Sequence, residues 1–437
     1  MDEEAGAEPE IEEPAPEPQI VKLGHFDRHG VTRTRLERRW VEVEHGIPGE
    51  SVEIEIGGSR RRPIGHIVRV LDPAPDRIEP PCPYFRDFNC GGCQWQQIDY
   101  QAQLAYKRSA VDETMLQAGV SKRVDTIHAL KDPWRYRSTA GIALGRHAGF
   151  RRHASLAIVP LDDCPISHPL IGRLMAALNS ALRKGELPDF RGRARLEVRV
   201  AGTGEEQFLQ TLVRPTDPES VLANEGGKLV DMLRGVPEVG GIAVQRIGGR
   251  IDTVSGDLLA PVEVAGRVVW LAAGSFFQTN LQLLAELIAR VQEEAGTPSR
   301  VADIYAGVGI FGLFLAERAA HVVEIEADPV AVQAGQKTAE EWGLANIEFV
   351  VGPSEEAELV GYDVVIVDPP RSGLDPEVLD AILASRPELL LYVSCLAESL
   401  ARDLGVLQPA GYEVSSLEVF DFYPQTYHVE MLAVLRR

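Results

Sequence analysis

The chain has 437 residues, more than one ordinary domain needs, and its 45% hydrophobic and 25% charged residues are those of a globular protein. No run approaches the roughly 18 apolar residues of a membrane helix, and the N-terminus has neither a basic n-region nor an apolar h-region, so no membrane or secretory role is expected and a cytoplasmic location is. The formal net charge of −21 argues at first against a nucleic-acid partner, but eight acids fall in residues 1–18, which hold no Lys or Arg, and removing those eight charges leaves the body at −13.

Residues 1–18 are acidic, rich in Pro and nearly without large apolar side chains, so they are expected to be disordered. Residues 19–76 read as a small β domain. Val41–Glu44 and Val52–Ile56 alternate with period two, Gly46-Ile47-Pro48-Gly49 turns between them, Gly57-Gly58 punctuates a further turn, and Ile64–Leu71 gives another strand. Arginines cluster at Arg28, Arg33, Arg35, Arg38 and Arg39 and again at Arg60, Arg61 and Arg62. Short strands with Arg-rich loops suggest an OB-like barrel, an RNA-binding shape, although an SH3-like barrel would read similarly.

Asp72-Pro73-Ala74-Pro75 and Pro80-Pro81 mark a linker into a central domain, 77–275, of mixed α and β character. Cys82, Cys90 and Cys93 follow the linker, and residues 100–118 read as a helix. A further basic cluster holds Lys131, Arg135, Arg137, Arg146, Arg151 and Arg152. Disulfides are not expected in a reducing compartment. Cys90-Gly-Gly-Cys93 is a tight chelating turn, and with Cys82 and the distant Cys164 it can supply four thiolates to zinc or to an iron–sulfur cluster. Spacing does not choose between the two.

From residue 276 onward strands and helices alternate. A helix over Leu281–Glu294 has Thr279 or Asn280 as N-cap. Strands are predicted at Val301–Tyr305, His321–Glu326, Ile347–Val351, Asp363–Val367 and Leu389–Ser394, in a Rossmann-like, doubly wound α/β domain. Val414–Phe420 and Val429–Leu435 follow with no helix between them, and an antiparallel closing pair of this kind is commoner in methyltransferase folds than in dinucleotide oxidoreductases.

The chemistry-bearing motifs sit at the strand ends. Asp303-Ile304-Tyr305-Ala306-Gly307-Val308-Gly309 follows the first strand, where glycines let a ligand approach the backbone and the next helix offers its N-terminus. Glu326 ends the second strand, where a carboxylate can accept from both ribose hydroxyls. This combination points to an adenosine cofactor without saying which. Asp368-Pro369-Pro370-Arg371 follows the fourth strand, with its carboxylate facing the ligand crevice. Cys395 ends the fifth, as a candidate nucleophile in need of a positive neighbour or a proton acceptor. Glu430 is a candidate base, sharing a strand face with His428.

These residues together resemble the RNA uracil-5 methyltransferases that carry a TRAM domain and a 4Fe-4S cluster, typified by bacterial 23S rRNA enzymes. The resemblance rests on Cys82, Cys90-Gly-Gly-Cys93 and Cys164, on Phe276-Phe277-Gln278-Thr279-Asn280, on Asp303–Gly309, on Asp368–Arg371, on Val393-Ser394-Cys395, and on Phe422–Thr426 with His428-Val429-Glu430. It implies a TRAM domain over 19–76, a 4Fe-4S cluster on the four cysteines, and Gln278, Tyr305, Glu326 and Asp368 as contacts to S-adenosyl-L-methionine. It further implies Cys395 as nucleophile, Glu430 as base and 23S rRNA as the partner; the oligomeric state stays open, with a monomer favoured. The same chemistry on transfer RNA is the alternative, and a non-catalytic RNA-binding iron–sulfur protein a more distant one. Three positions depart from the family pattern: seven residues separate Cys82 from Cys90 where many relatives have five, Ile310 replaces a frequent Asn, and Gly352-Pro353 stands where an acidic adenine contact is common.

Overall fold

The computed structural model describes residues 18–36, 38–59, 61–216, 222–246 and 249–437. The expected disorder of 1–18 falls, except for its last residue, outside the described residues, and so does Arg60 of the second arginine cluster. Two units are formed. One runs up to Glu79 and takes back Gln94–Asp99; the other holds Pro80–Cys93 and Tyr100–Arg437. Among the described residues no helix is long and apolar enough to cross a membrane.

In the first unit, alternate residues of short strands bury Val21, Val41, Val43, Val52 and Ile54 together. The strands lie in the order Gln19–Lys22, Ser51–Ser59, Arg62–Asp72, Arg39–Val43, Thr32–Leu36. The two outer strands approach each other: the Thr34 hydroxyl donates to the Lys22 carbonyl (3.0 Å) and the Gly24 N–H to the Arg33 carbonyl (2.8 Å). Gly57 and Gly58 do not make the expected turn. They lie inside Ser51–Ser59 because its pairing with Arg62–Asp72 continues to Ser59 opposite Arg62. Gln94–Asp99 joins this unit through Trp95, whose indole N–H donates to the Gly30 carbonyl (2.8 Å).

The second unit contains two sheets. A mixed sheet is built around the long antiparallel pair Ala194–Thr203 and Glu206–Pro215. The other runs in the order Ile347–Val351, His321–Glu326, Arg300–Ile304, Val364–Val367, Leu389–Ser394, Glu430–Arg436, Glu413–Phe420, Thr126–His128. Its first five strands are parallel, and the inner pair Val364–Val367 and Leu389–Ser394 is buried throughout and nearly all apolar, as strands covered on both faces are. The chain order reverses at Arg300–Ile304, which opens a crevice at the C-terminal strand ends. Thr126–His128 lies within 77–275 by sequence yet extends this sheet, and the helix Tyr100–Gln117 packs beside Ala397–Leu407. The boundary expected at residue 276 is therefore crossed by residues 100–128.

Leu281–Ala295 is helical because Leu283, Leu284, Leu287, Ile288 and Val291 make one buried stripe, and Asn280, not Thr279, caps it by accepting from the Leu283 N–H. Tyr100–Gln117 buries a different stripe, Gln103, Lys107, Val111 and Met115. Its two polar members face residues 421–425. Lys107 Nζ meets Asp421 Oδ1 at 2.5 Å and donates to the Tyr423 carbonyl at 3.1 Å, and neither side chain of the ion pair is exposed. The Tyr100 hydroxyl donates to the other Asp421 oxygen (2.8 Å), and Gln103 exchanges two hydrogen bonds with Gln425.

Removing one partner of such a pair leaves a buried charge uncompensated, at about 3–5 kcal/mol. Lys107→Met is expected to destabilise the fold by about that much in urea unfolding, whereas Lys107→Met with Asp421→Leu recovers much of the loss. Equal destabilisation by the single and double variants would contradict this account.

Candidate active site

A cavity of about 560 Å³ opens at the C-terminal ends of the parallel strands, within the range of small-molecule sites. Its wall includes Gln278, Tyr305, Glu326, Asp368, Cys395 and Glu430, so the structure brings all six residues singled out for cofactor and catalysis to one place.

Five arrive from strand ends, and Gln278 from the loop before the helix Leu281–Ala295. Glu326 closes its strand with both oxygens already held, Oε2 by the Gly307 N–H (2.8 Å) and Oε1 by the Asp328 N–H (2.7 Å). Each oxygen keeps a second lone pair for an incoming hydroxyl. Tyr305 leaves its strand at φ 62, a conformation that costs a non-glycine residue about 1–3 kcal/mol. Its hydroxyl is tied to Asp375, donating to Oδ2 at 2.8 Å, which leaves the ring as the part offered to the cavity. Gln278 is buried, and its Oε1 has no partner within the protein. An unpartnered buried acceptor on a cavity wall fits a bound polar ligand. Ile310 lines the cavity as an apolar contact, and Gly352-Pro353 is not part of the wall.

Below the glycine loop Asp303 and Glu324 are both fully buried. Asp303 Oδ2 accepts from the Gly312 N–H at 3.3 Å, and a side chain at Gly312 would collide with Glu324. Burial pushes Asp303 up to about 7 and Glu324 well above its usual range, with the Asp303 carboxyl adding to the rise at Glu324.

Cys395 and Glu430 approach each other at the ends of adjacent strands. Leu389–Ser394 pairs antiparallel with Glu430–Arg436, Ser394 opposite Met431; Cys395 follows the last paired residue and lines the cavity with Glu430, within electrostatic reach of it. Burial pushes the Cys395 thiol up to about 11; Glu430 and Asp368 push the same way, while Arg371 opposes them by its charge and a hydrogen bond. Burial also raises Asp368 to about 7 and Glu430 well above the carboxylate range, with Arg371 again pulling Glu430 down. One guanidinium thus acts on both Cys395 and Glu430. A cationic ligand entering the cavity favours their ionised forms.

Arg371 stands in the Asp368-Pro-Pro-Arg motif, but its role beside the thiol was not foreseen. The signal available was the need of Cys395 for a positive neighbour. Tyr423 and Phe276, which also line the cavity, were read only as family markers. His428 differs from its expectation. The strand begins at Glu430, so His428 shares no pleat with it and reaches the cavity from the preceding loop, with Nδ1 3.4 Å from Arg371 Nη2.

Cys82, Cys90, Cys93 and Cys164 are buried in one apolar cluster, and Cys90 is within electrostatic reach of both Cys82 and Cys164. Among the described residues, however, no three His, Cys, Asp or Glu side chains stand close enough to chelate a single metal ion.

Comparison with known proteins agrees with this geometry. Residues 354–437 match the family model tRNA (Uracil-5-)-methyltransferase, and residues 268–391 match the methyltransferase small domain. The chain is 33% identical to an uncharacterized RNA methyltransferase of Thermosynechococcus vestitus over 95% of this chain and 97% of the relative. It is 30% identical to another of Halalkalibacterium halodurans, over 90% and 91%. The chain belongs to a family of RNA methyltransferases. Methyltransferases of this kind use S-adenosylmethionine, and the cavity has the unpartnered Gln278 oxygen and the backbone-held Glu326 carboxylate on its wall. The fold is similar to that of Pyrococcus abyssi tRNA (uracil-54, C5)-methyltransferase, solved in complex with S-adenosyl-L-homocysteine, at TM-score 0.74 and 23% identity, over 96% of this chain and 100% of the other.

With Arg371 opposing the burial of the thiol, Arg371→Ala is expected to slow alkylation of Cys395 by iodoacetamide at neutral pH, read by peptide mass spectrometry. An unchanged rate would remove Arg371 from the activation of Cys395.

Proposed function

We propose that this enzyme methylates carbon 5 of a uridine in RNA through a covalent adduct on Cys395. The observation that carries the reading is the closeness of Cys395 and Glu430 at the ends of adjacent strands, inside the cavity that also presents Gln278, Tyr305, Glu326 and Asp368. Carbon 5 of uracil is a poor nucleophile until a group adds to carbon 6. The Cys395 thiolate forms that bond, and the electron pair moves toward the carbonyl to give an enolate. Carbon 5 then accepts the sulfonium methyl of S-adenosylmethionine, and the neutral thioether leaves. Glu430 removes the proton from carbon 5, the carbon–sulfur bond breaks, and the thiolate is restored. Gln278, Tyr305 and Glu326 hold the donor, and Asp368 sits between donor and nucleophile. The uridine must leave its stack to enter, at about a few kcal/mol.

We further propose 23S rRNA as the substrate, with residues 19–76 as a TRAM-type RNA-binding domain and the four cysteines as ligands of a 4Fe-4S cluster. The support is the family resemblance together with the burial of all four thiols in one cluster. A cubane cluster ties each thiolate to a different iron, so its thiolates stand further apart than around one zinc ion. When bound, it would brace the segment between Cys82 and Cys164. Transfer RNA is the second reading, favoured by the name of the family model over residues 354–437.

RNA containing 5-fluorouracil is expected to become covalently attached to the wild-type protein and not to Cys395→Ala. Glu430→Gln is expected to accumulate the adduct with ordinary RNA and to turn over about 10²–10⁴-fold more slowly. Mass-spectrometric mapping of 5-methyluridine in a deletion strain then identifies the substrate. Loss from transfer RNA with intact ribosomal RNA would replace the first choice by the second. Protein purified without oxygen is expected to be brown with an absorbance band near ~400 nm; colourless protein with stoichiometric zinc would refute the cluster.

A further inference from the structure

A second cavity, of about 400 Å³, lies in the mixed sheet and shares Phe276, Phe277 and Tyr423 with the catalytic one. Only that aromatic wall separates them. Four arginines line it, Arg137, Arg195, Arg199 and Arg214, against one carboxylate, Glu197. In a chain of net charge −21 this is a local excess of positive charge.

The four differ in what already holds them. Arg199 is buried and donates to the carbonyls of Ala272 (2.8 Å) and Ser275 (2.5 Å), so it fixes the backbone leading to Phe276. Arg137 lies near the Phe150 ring, its guanidinium carbon 5.8 Å from the centroid. Arg214 is a quarter exposed and donates to Gln245 and to the Gly274 carbonyl, with Nε 2.9 Å from Glu197. Arg195 is more than half exposed, and its ion pair with Glu197 is long, at 3.8 Å. The backbone is cut away beneath it. A Cβ at Gly141 would stand 2.3 Å from Arg195 Nη2, so only glycine lets that guanidinium lie across the strand. Glu197 sits between Arg195 and Arg214 and holds the two cations in one place without neutralising both.

We propose that this cavity is a subsite for the phosphodiester backbone beside the target nucleotide, gripped by Arg195 and Arg214. The inference rests on the RNA reading above and adds to it a place and two residues. The exposed fork of Arg195, with the Arg214 charge held beside it through Glu197, matches phosphate oxygens, and their position behind Phe276 and Tyr423 is where the strand continues once a base has entered the catalytic cavity.

The test is binding of fluorescein-labelled decauridylate by anisotropy as KCl rises from about 50 to about 200 mM, where each phosphate contact to a single strand contributes about 0.7 to the slope of log K against log salt. Arg195→Ala and Arg214→Ala are each expected to make the slope shallower by about 0.7, with S-adenosylmethionine affinity unchanged. Glu197→Gln is expected to tighten RNA binding, the opposite sign from a merely structural role. A wild-type slope in Arg195→Ala, with S-adenosylmethionine still bound, overturns the subsite alone. Wild-type protein that binds S-adenosylmethionine but neither decauridylate nor cellular RNA overturns the RNA reading along with it.

Discussion

The catalytic cavity depends on a charge pair that lies outside it. Lys107 and Asp421 are both fully buried, and around them Tyr100, Gln103, Gln425 and the Tyr423 carbonyl complete the hydrogen bonding. A buried pair of this kind contributes little net stability once its desolvation is counted. What it does supply is position. Residues 421–429 have no ladder of their own, yet they carry Tyr423 and His428 to the cavity and deliver the chain to Glu430. The Tyr136 hydroxyl adds a bond to the Pro424 carbonyl (3.0 Å) and the Asn280 side-chain amide one to the Phe422 carbonyl (3.3 Å), so the loop is held from three elements distant in sequence.

That arrangement explains how the parts of the site depend on one another. Asn280 caps the helix Leu281–Ala295 and also grips residue 422, which ties the Gln278 segment to the Glu430 segment. Arg199 ties the same segment to the mixed sheet from below. The donor side and the nucleophile side of the cavity are therefore fixed relative to each other by hydrogen bonds to backbone carbonyls. Electrostatics then sets the chemistry: burial raises Cys395, Asp368 and Glu430, and the Arg371 guanidinium opposes that rise at Cys395 and Glu430.

Much of this was legible in the sequence where one periodicity governs. The parallel strands read as apolar runs bounded by turns, and the residue that ends each run is the one that meets the ligand. The six candidate residues follow from that rule and from the motifs around them. The helix at residues 100–117 was legible as a helix, but its purpose was not, because its buried stripe begins with Gln103 and Lys107 and looks solvated until Asp421 is brought opposite. Thr126–His128 was invisible as an edge strand of the C-terminal sheet for the same reason: its partner lies almost three hundred residues away. Gly57-Gly58 misled because a glycine pair usually marks a turn, whereas here the partner strand continues past it. The cysteines could be counted from sequence, but what they bind depends on distances that spacing does not encode.

The closeness of Cys395 and Glu430 at the ends of adjacent strands has a stereochemical consequence. A uracil ring whose carbon 6 meets the thiolate and whose carbon 5 gives its proton to the carboxylate from that same side leaves only its other face for the arriving methyl group under the proposed chemistry. Addition across the ring is then anti and the closing elimination syn, a handedness that follows from having both groups on one side.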